Sequence, residues 1–300
     1  MKFREFGKSL ADYIKEIYLE KSKEIPQEGV HADLHMHPYI KDRNSLEHTL
    51  DVMYNNEIDL LAITTHGKGS KKEHDFWKVK ELIKEEGMEM DDKGRYFSID
   101  YKEKQLNFIG GYEMYVYLPD VKGRIDIISL MPEKGFEKVA EKGMNFDDYM
   151  ELNRKYDSMV VGAHPFTLWD PFLYRLIPFR LADEEERRNI QENFFTEVDC
   201  VDLVATNALW MKISDKLVEE CYEGKALANS DVHAKCRFAR TRIGESRNIF
   251  PELDLGTDSE LYGSLLDNIR SGNFESHLKH LSPEQFFVSL CTGDNPPGFP

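Results

Sequence analysis

The sequence predicts an α/β barrel, and three observations favour this fold class. Seven short apolar segments have the pattern of buried strands, and segments with helical periodicity separate most of them. Such alternation is typical of βαβ units and a parallel sheet, which is either doubly wound or closed into a barrel. Histidines and acidic residues also cluster at the strand ends, and this favours the barrel, because a barrel gathers its strand ends at one mouth.

The predicted strands recur along the chain from residue 30 to residue 233. In order, they are VHADLHMH, DLLAITTH, LNFIGGYEMYVY, RIDIISLMP, SMVVGAHPF, CVDLVATN and KALANSDVH. The third and fourth strands are the exception to the alternation, because the link LPDVKG between them predicts a hairpin turn. The predicted helices are SLEHTLDVMYNNE, HDFWKVKELIKEEG, NFDDYMELNRKYD, DEEERRNIQENFF and SDKLVEECYEG, and the tail from residue 258 predicts one or two closing helices.

The chain of 300 residues has the length of a single α/β barrel with insertions. We expect residues 1–28 to form an amphipathic helix packed on the barrel, because their apolar residues fall at helical spacing. The barrel domain is expected to span residues 29–290. It includes the connection 166–200, which is rich in aromatic residues and proline and is either a lid or, as we favour, a packed outer helix. Residues 291–300 are expected to be a loose tail.

Composition restricts the class of partner. The formal net charge of -16 argues against extended nucleic-acid binding, which depends on Lys and Arg replacing counterions, and favours a small substrate or one held by a local basic patch. The longest apolar runs are too short to cross a membrane, and the N-terminus lacks a signal-peptide core. The four cysteines are scattered, so we expect a cytoplasmic protein. The oligomeric state is left open.

The strand ends supply the side chains that a hydrolytic metal centre needs. Divalent transition metals bind imidazole and carboxylate groups, and catalysis requires several such groups to converge around a position that water can occupy. In the first and last motifs the two candidate ligands are two positions apart, so both side chains can face the same mouth. The candidates are His35, His37, His66, Glu113, His164, Asp231 and His233.

The motifs HADLHMH, LAITTHG, GGYE, VVGAHPF and ALANSDVHA, in this order, resemble those of the PHP (polymerase and histidinol phosphatase) family. The resemblance covers about residues 29–275, and it includes RIGESRNIF and LLDNIRSGNF, which are similar to the last strand and helix of the family. It implies a distorted (β/α)7 TIM-like barrel with up to three divalent metals, Zn²⁺, Mn²⁺ or Fe²⁺, at its C-terminal mouth. It also implies phosphoesterase activity.

The resemblance further implies how the metals are shared. His35, His37, Glu113 and Asp231 would hold one metal, and Glu113 would bridge to a second that His164 also binds. A third would lie between His66, His233 and Asp42, which stands where the family often has an acid or histidine.

The chain departs from the family pattern at three positions, which bear on how many metals bind. Thr65 replaces the aspartate of the usual T-D-H motif. Asp126 stands where a histidine is common, and it can still ligate a metal or hydrogen-bond to a ligand. The sixth strand ends in VATN, which keeps Asn207 but, at Ala205, has no acid. Asp42 and Asp126 are each either a ligand or an ordinary polar residue.

A phosphate substrate would also need a cation from the protein. HAKCRFARTRIG places Lys235, Arg237, Arg240 and Arg242 just after the last metal motif, and Arg can bind phosphate through two hydrogen bonds. We expect Arg240 or Arg242 to act in catalysis beside Glu113 and Asp231. Lys68 is a second candidate.

These patterns predict a metal-dependent hydrolase of phosphate esters that acts on a small phosphorylated substrate through a metal-activated hydroxide. Two alternatives stay open: a metal hydrolase of the amidohydrolase-like type that cleaves a non-phosphate bond, and a regulatory PHP-like domain with a partly degraded site. Asp33 is expected to support the metal ligands by hydrogen bonding. The histidines that are not candidate ligands are expected to be solvent-exposed: His31, His48, His74, His277 and His280.

Overall fold

The computed structural model describes residues 28–66, 75–169, 179–204, 209–233 and 242–279. Within these ranges, a large mixed sheet of twelve strands curves into a nearly closed barrel, and a two-stranded hairpin lies beside it. The strands are β1 (Val30–Asp33), β2 (Leu60–His66), β3 (Asp91–Asp92), β4 (Tyr96–Tyr101), β5 (Lys104–Tyr117), β6 (Ile125–Leu130), β7 (Met144–Asn145), β8 (Met159–Ala163), β9 (Thr167–Trp169), β10 (Phe179–Leu181), β11 (Cys200–Val204), β12 (Leu227–Asn229), β13 (Arg247–Phe250) and β14 (Glu275–His277).

The helices lie between these strands in most connections. They are α1 (Arg43–Asn55), α2 (Phe76–Glu85), α3 (Phe136–Val139), α4 (Phe146–Lys155), α5 (Glu184–Asn189), α6 (Leu209–Cys221) and α7 (Asp258–Ser271), and α5 continues into a π-helical turn, Ile190–Phe194. Side chains cap several helix N-termini, as the sequence chemistry dictates: Asp75 accepts a hydrogen bond from the backbone of α2, and Asn145 and Thr257 do the same for α4 and α7. Among the described residues, no helix is long and apolar enough to cross a membrane.

The main path of the sheet runs β12-β11-β8-β6-β5-β2-β1-β13-β14. Strands β1, β2 and β5 are parallel neighbours, and so are β8, β11 and β12. Strand β6 is antiparallel to both β5 and β8, which confirms the predicted hairpin. Because β6 runs in the opposite direction, its first residues lie beside the last residues of β8, at the mouth formed by the carboxyl ends of the parallel strands.

The barrel closes differently at its two ends. Towards the base, β13 pairs with β1, and the Asn248 side chain bridges to β12 by accepting a hydrogen bond from Ala228 N–H and donating one to Ala228 O. Towards the mouth, the chain after β1 meets the chain after β12 directly. Asp231 N–H donates to His35 O at 2.8 Å, and His37 N–H donates to Val232 O at 2.9 Å. This direct contact brings the first and last metal motifs together.

The two glycines of the GGYE motif allow close packing around β5. A Cβ atom at Gly111 would lie 2.6 Å from the Thr64 Cγ2 atom, and one at Gly110 would lie 2.9 Å from the Phe76 ring. Real Cβ atoms essentially never approach this closely, so glycine is needed for β2 and α2 to pack against β5. The register of these two strands pairs Glu113 with His66.

All seven predicted strands are present in the barrel, but the sheet is mixed and its main path has nine strands, so the (β/α)7 count is not reproduced. Helix α7 confirms one of the one or two closing helices predicted from residue 258. Helix α7 ends at Ser271 because Gly272 adopts a left-handed backbone with φ of 68°, and residues Glu275–His277 then form β14. Residues 1–27 and 280–300, where the sequence predicts the N-terminal helix and the loose tail, lie outside the described residues.

Candidate metal centre

The candidate ligands come from six neighbouring segments at the mouth of the barrel. Sheet register pairs His66, the last residue of β2, with Glu113 of β5, and pairs Asp126 of β6 with the residue before His164. The chains that follow β1 and β12 place His37 beside His233 in a parallel bridge. The topology therefore determines the site, since these residues are far apart along the chain.

Two of the candidate ligands have unusual backbone conformations. His164 has φ of 33° and Asp231 has φ of 44°, which lie in the left-handed region that residues other than glycine rarely adopt. Each residue directly follows or nearly follows the end of a strand. Such conformations persist where the surrounding structure enforces them, and they are common at functional sites.

Glu113 lies at the centre of the cluster. Its Oε1 atom is 3.5 Å from His35 Nε2 and 3.7 Å from His164 Nε2. Its Oε2 atom is 2.8 Å from His66 Nδ1 and 3.1 Å from His37 Nε2. One buried carboxylate thus faces four imidazoles.

Asp231 lies beside the same imidazoles. Its Oδ1 atom is 3.5 Å from His35 Nε2, 3.6 Å from His37 Nε2 and 3.7 Å from His233 Nδ1. The His233 and His66 Nε2 atoms are 2.9 Å apart, and His66, with a side chain 32% exposed, lies at the solvent side of the mouth.

Side chains in this cluster fall into three overlapping groups. Within each group, the potential ligand atoms all lie within 4.8 Å of one another. His37 belongs to two of the groups and so does Glu113, so the groups share residues. The groups are His35 with His37 and Glu113, Glu113 with Asp126 and His164, and His37 with His66 and His233.

The hydrogen bonding of these side chains fits a metal. Buried polar atoms normally have hydrogen-bond partners, yet several in this cluster have none among the described residues. The donor set of imidazole and carboxylate suits Zn²⁺, Mn²⁺ or Fe²⁺. The unpartnered buried atoms include His35 Nε2, His37 Nδ1, His164 Nδ1 and both carboxylate oxygens of Asp231.

In the absence of metal, the pKa values of the clustered side chains differ strongly from their usual values. Burial by itself lowers the pKa of His35, but the carboxylates of Asp231, Asp202 and Glu113 outweigh burial and raise this pKa well above its usual value. Burial likewise opposes the charged form of His164, but Glu113 and Asp126 raise its pKa to about 9.

The pKa values of the other members of the cluster depend on the same balance between burial and neighbouring charges. Burial and the neighbouring His66 lower the pKa of His37 to about 3. Burial raises the pKa of Asp231 to about 7 despite the nearby His35. Burial would raise the pKa of Glu113 too, but the surrounding imidazoles hold it well below its usual range. A divalent cation would favour the unprotonated form of each of these groups, because those forms are the ligands.

Some predicted site residues lie elsewhere. Asp42 is exposed and caps helix α1, where its Oδ1 atom accepts a hydrogen bond from Ser45 N–H at 2.8 Å. Arg242 is buried, and its Nε atom lies 3.4 Å from Glu245 Oε2. A ligand role for Asp42 and a phosphate-binding role for Arg242 remain predictions. Residues outside the described ranges are Lys68, Ala205, Asn207, Lys235, Arg237 and Arg240.

Asp202 is a functional residue that the sequence motifs do not include. This residue lies in the middle of β11, is fully buried, and approaches His35 with its Oδ2 atom 2.7 Å from His35 Nδ1. The signal was a lone acid inside the apolar strand CVDLV, since a carboxylate is almost never fully buried without a partner. Thr64 was also missed: its Oγ1 atom accepts from Met36 N–H and donates to Met36 O, which connects the chain between His35 and His37 to β2.

Two further expectations concern other residues of the first motif. Asp33 is buried and accepts hydrogen bonds from Ser230 Oγ–H at 2.5 Å and Gly244 N–H at 2.9 Å, which confirms that it supports the chain next to Asp231. The expectation for His31 was wrong, because only 3% of this residue is exposed. Burial and the adjacent Arg247 lower its pKa.

Comparisons with known proteins show the fold. No family model and no curated protein sequence matches this chain. Among solved structures, PsfC from Pseudomonas syringae PB-5123 superposes with a TM-score of 0.56 at 14% identity, over 89% of this chain and 98% of that one. PfuEndoQ, a lesion-specific endonuclease from Pyrococcus furiosus, superposes with a TM-score of 0.50 at 18% identity, over 85% of this chain and 59% of that one. At these identities the similarity establishes shared architecture.

Proposed function

We propose that this protein is a metal-dependent hydrolase of phosphate esters with the site organisation of the PHP family. The observation that carries the proposal is the cluster at the mouth, in which buried imidazole and carboxylate atoms converge within ligand distance of one another but have no hydrogen-bond partners among the described residues. The motifs from which these residues come, and the architecture shared with an endonuclease, support the phosphoester class.

In this proposal, each group of side chains has its own task. His35, His37, Glu113 and Asp231 would hold the first divalent metal. Glu113, Asp126 and His164 form a second group, and His37, His66 and His233 form a third. Bound metal would lower the pKa of a coordinated water towards neutrality and offset negative charge on a phosphoryl group.

The residues of the chain would organise the reaction around that chemistry. Glu113 is shared by two of the groups and His37 by two, so these residues would set the separation of the metals. His66 lies at the exposed side of the mouth, where a substrate would enter in this proposal, and Arg240 or Arg242 is proposed to bind phosphate. Burial of the remaining ligand candidates excludes bulk water, which strengthens electrostatic interactions with a charged substrate.

The net charge of -16 leads us to propose a small phosphorylated metabolite or nucleotide as the substrate. The scattered cysteines lead us to propose the cytoplasm as the location. The test is elemental analysis of the purified protein, followed by assays with phosphomonoesters, nucleotides and phosphodiesters in the presence of Mn²⁺ or Zn²⁺. We expect at least one transition metal per chain and turnover of one phosphate-ester class.

Two outcomes would contradict this proposal. Absence of bound metal after metal-supplemented expression would leave a regulatory PHP-like domain as the better hypothesis. A metal-loaded protein that hydrolyses no phosphate ester, but cleaves amide or lactone substrates, would favour the amidohydrolase-like alternative. A lesion-containing oligonucleotide belongs in the panel, because PfuEndoQ is described as a lesion-specific endonuclease.

A further inference from the structure

The contact between His35 and Asp202 is one end of a buried hydrogen-bond chain. Asp202 Oδ2 lies 2.7 Å from His35 Nδ1, and Asp202 Oδ1 accepts a hydrogen bond from Asn229 Nδ2 at 2.9 Å. All three residues are fully buried, with 0% exposure. The other ring nitrogen, His35 Nε2, faces Glu113 and Asp231 and has no hydrogen-bond partner among the described residues.

The orientation of the Asn229 amide is fixed by its other partners. Its Oδ1 atom accepts hydrogen bonds from Leu34 N–H at 2.7 Å and from Asn248 Nδ2 at 3.0 Å. A backbone N–H can only donate, so the atom facing Leu34 must be the amide oxygen. Asn229 therefore presents its NH₂ group to Asp202, and Asp202 must accept there.

From this arrangement we infer that Asp202, held by Asn229, is a positioning residue that keeps the proton of His35 on Nδ1 and so leaves Nε2 free to bind metal. A carboxylate has no proton to donate, so the contact with His35 is a hydrogen bond only when Nδ1 carries the hydrogen. Carboxylates commonly orient metal-binding histidines in this way. The inference deepens the proposed function, since it assigns a tautomer to one of the proposed ligands.

The substitution Asp202→Asn separates this role from simple packing, because the two side chains have the same shape. The amide that it introduces has one oxygen for two positions that both require an acceptor. If the oxygen faces His35, two NH₂ groups face each other at Asn229. If the oxygen faces Asn229, an NH₂ group faces His35 Nδ1, and the ring must then carry its proton on Nε2, where it blocks the metal.

A second substitution at Asn229 should compensate for the hydrogen bond lost in Asp202→Asn. In the double variant Asp202→Asn with Asn229→Asp, a carboxylate at position 229 can accept from Leu34 N–H, from Asn248 and from the new amide at position 202. The amide oxygen at position 202 is then free to accept from His35 Nδ1–H. The hydrogen-bond pattern is restored with no change in total charge.

The experiment measures two quantities in the full chain: the Zn²⁺ dissociation constant, by competition with a chelator, and the hydrogen-bonded Nδ1–H resonance of His35, by NMR in the metal-free and Zn²⁺-loaded protein. We expect Asp202→Asn to weaken Zn²⁺ binding about 10- to 100-fold and to remove the resonance. The double variant should recover at least half of the lost affinity on a logarithmic scale and regain the resonance.

Asp199→Asn is the matched control. Asp199 lies just before β11 at the other end of the barrel, where its carboxylate accepts from Val160 N–H at 2.8 Å and pairs with Arg270. This variant removes an acid from the same segment, and it should retain the wild-type Zn²⁺ affinity and the His35 resonance.

Equal Zn²⁺ affinity in wild type and Asp202→Asn would overturn the inference, and so would a single variant that is weak with no recovery in the double variant. If Asp202→Asn does not fold, the wild-type resonance and the double variant still decide the matter. A wild-type protein that binds no Zn²⁺ would refute the proposed function instead, whereas absence of the Nδ1–H resonance in metal-free wild type would refute the tautomer assignment by itself.

Discussion

The first motif contributes histidines to both ends of the barrel. The two ends differ in the hydrogen-bond partners that these histidines have. His35 and His37 lie at the mouth among carboxylates, and the His35 Nε2 and His37 Nδ1 atoms have no hydrogen-bond partners among the described residues. His31 lies at the base. Its backbone N–H donates to Asp59 Oδ2 at 2.8 Å, and its ring Nδ1 atom is 3.2 Å from Arg247 Nη1.

The same contrast holds for the charges. At the base, Lys104 Nζ lies 2.7 Å from Asp59 Oδ1, so the acid has a cation from the protein. At the mouth, the close partners found for Glu113 are imidazoles. His31, Asp59 and Lys104 also line a cavity of about 590 Å³. A cavity lined by histidine and acid is therefore not enough to identify a metal site. Buried ligand atoms without hydrogen-bond partners distinguish the mouth from the base.

The largest expected effect comes from removing the central carboxylate of the mouth. Glu113→Gln should lower hydrolytic activity at least about 100-fold and reduce the bound metal per chain, because Glu113 faces four imidazoles from three segments of the chain. The matched control is Asp59→Asn at the base, which should leave metal content unchanged. Equal metal content in the Glu113→Gln and wild-type proteins would remove the distinction between the two ends.

Metal that binds at the mouth should stabilise the folded protein. At a free metal concentration 100 times the dissociation constant, a ligand that binds only the folded state adds about 2.7 kcal/mol to the free energy of unfolding. We expect urea unfolding of the chelator-treated protein to show an increase of this size on titration with Zn²⁺ or Mn²⁺. In Glu113→Gln the increase should be smaller, and a full increase there would place the metal elsewhere.

Removal of the base histidine should affect stability without affecting metal. His31→Ala leaves Arg247 without one of its acceptors and opens a gap in a buried region, so we expect a loss of about 1–3 kcal/mol in the free energy of unfolding. Metal affinity should match that of wild type. His277→Ala is the control, since His277 pairs at 3.6 Å with the exposed Glu275 and should change stability by less than about 1 kcal/mol.

The smallest expected effect is a change in pH dependence. Burial, together with Arg247, lowers the pKa of His31 in the folded state below the value of 6.5 that applies when unfolded. The unfolded chain therefore takes up the proton first as the pH falls below 6.5, and the contribution of this residue to stability is present above 6.5 and lost below it. His31→Gln should flatten the decline in unfolding free energy on the acid side, and an unchanged slope would contradict the assignment.

The candidate site could be predicted in large part because its residues follow buried strands. His66 and Glu113 are strand residues in matched register, so the recognition of two apolar segments was enough to place them near one mouth. His31 was misjudged because period-two alternation indicates which face a residue occupies but cannot show that Arg247, far along the chain, covers that face. Asp202 was missed because a single acid in an apolar strand gives no indication of its partner.

The sequence by itself determined the class of the fold, the seven strands of the barrel and the imidazole-carboxylate chemistry at their ends, because periodicity and residue type are local properties. Only the tertiary structure decided that β13 pairs with β1 and lies between β1 and β12, and that Asp202 and Asn229 hold one ring nitrogen of His35. These features depend on contacts between residues separated by up to about 200 positions, and such contacts are set by the packing of the whole barrel.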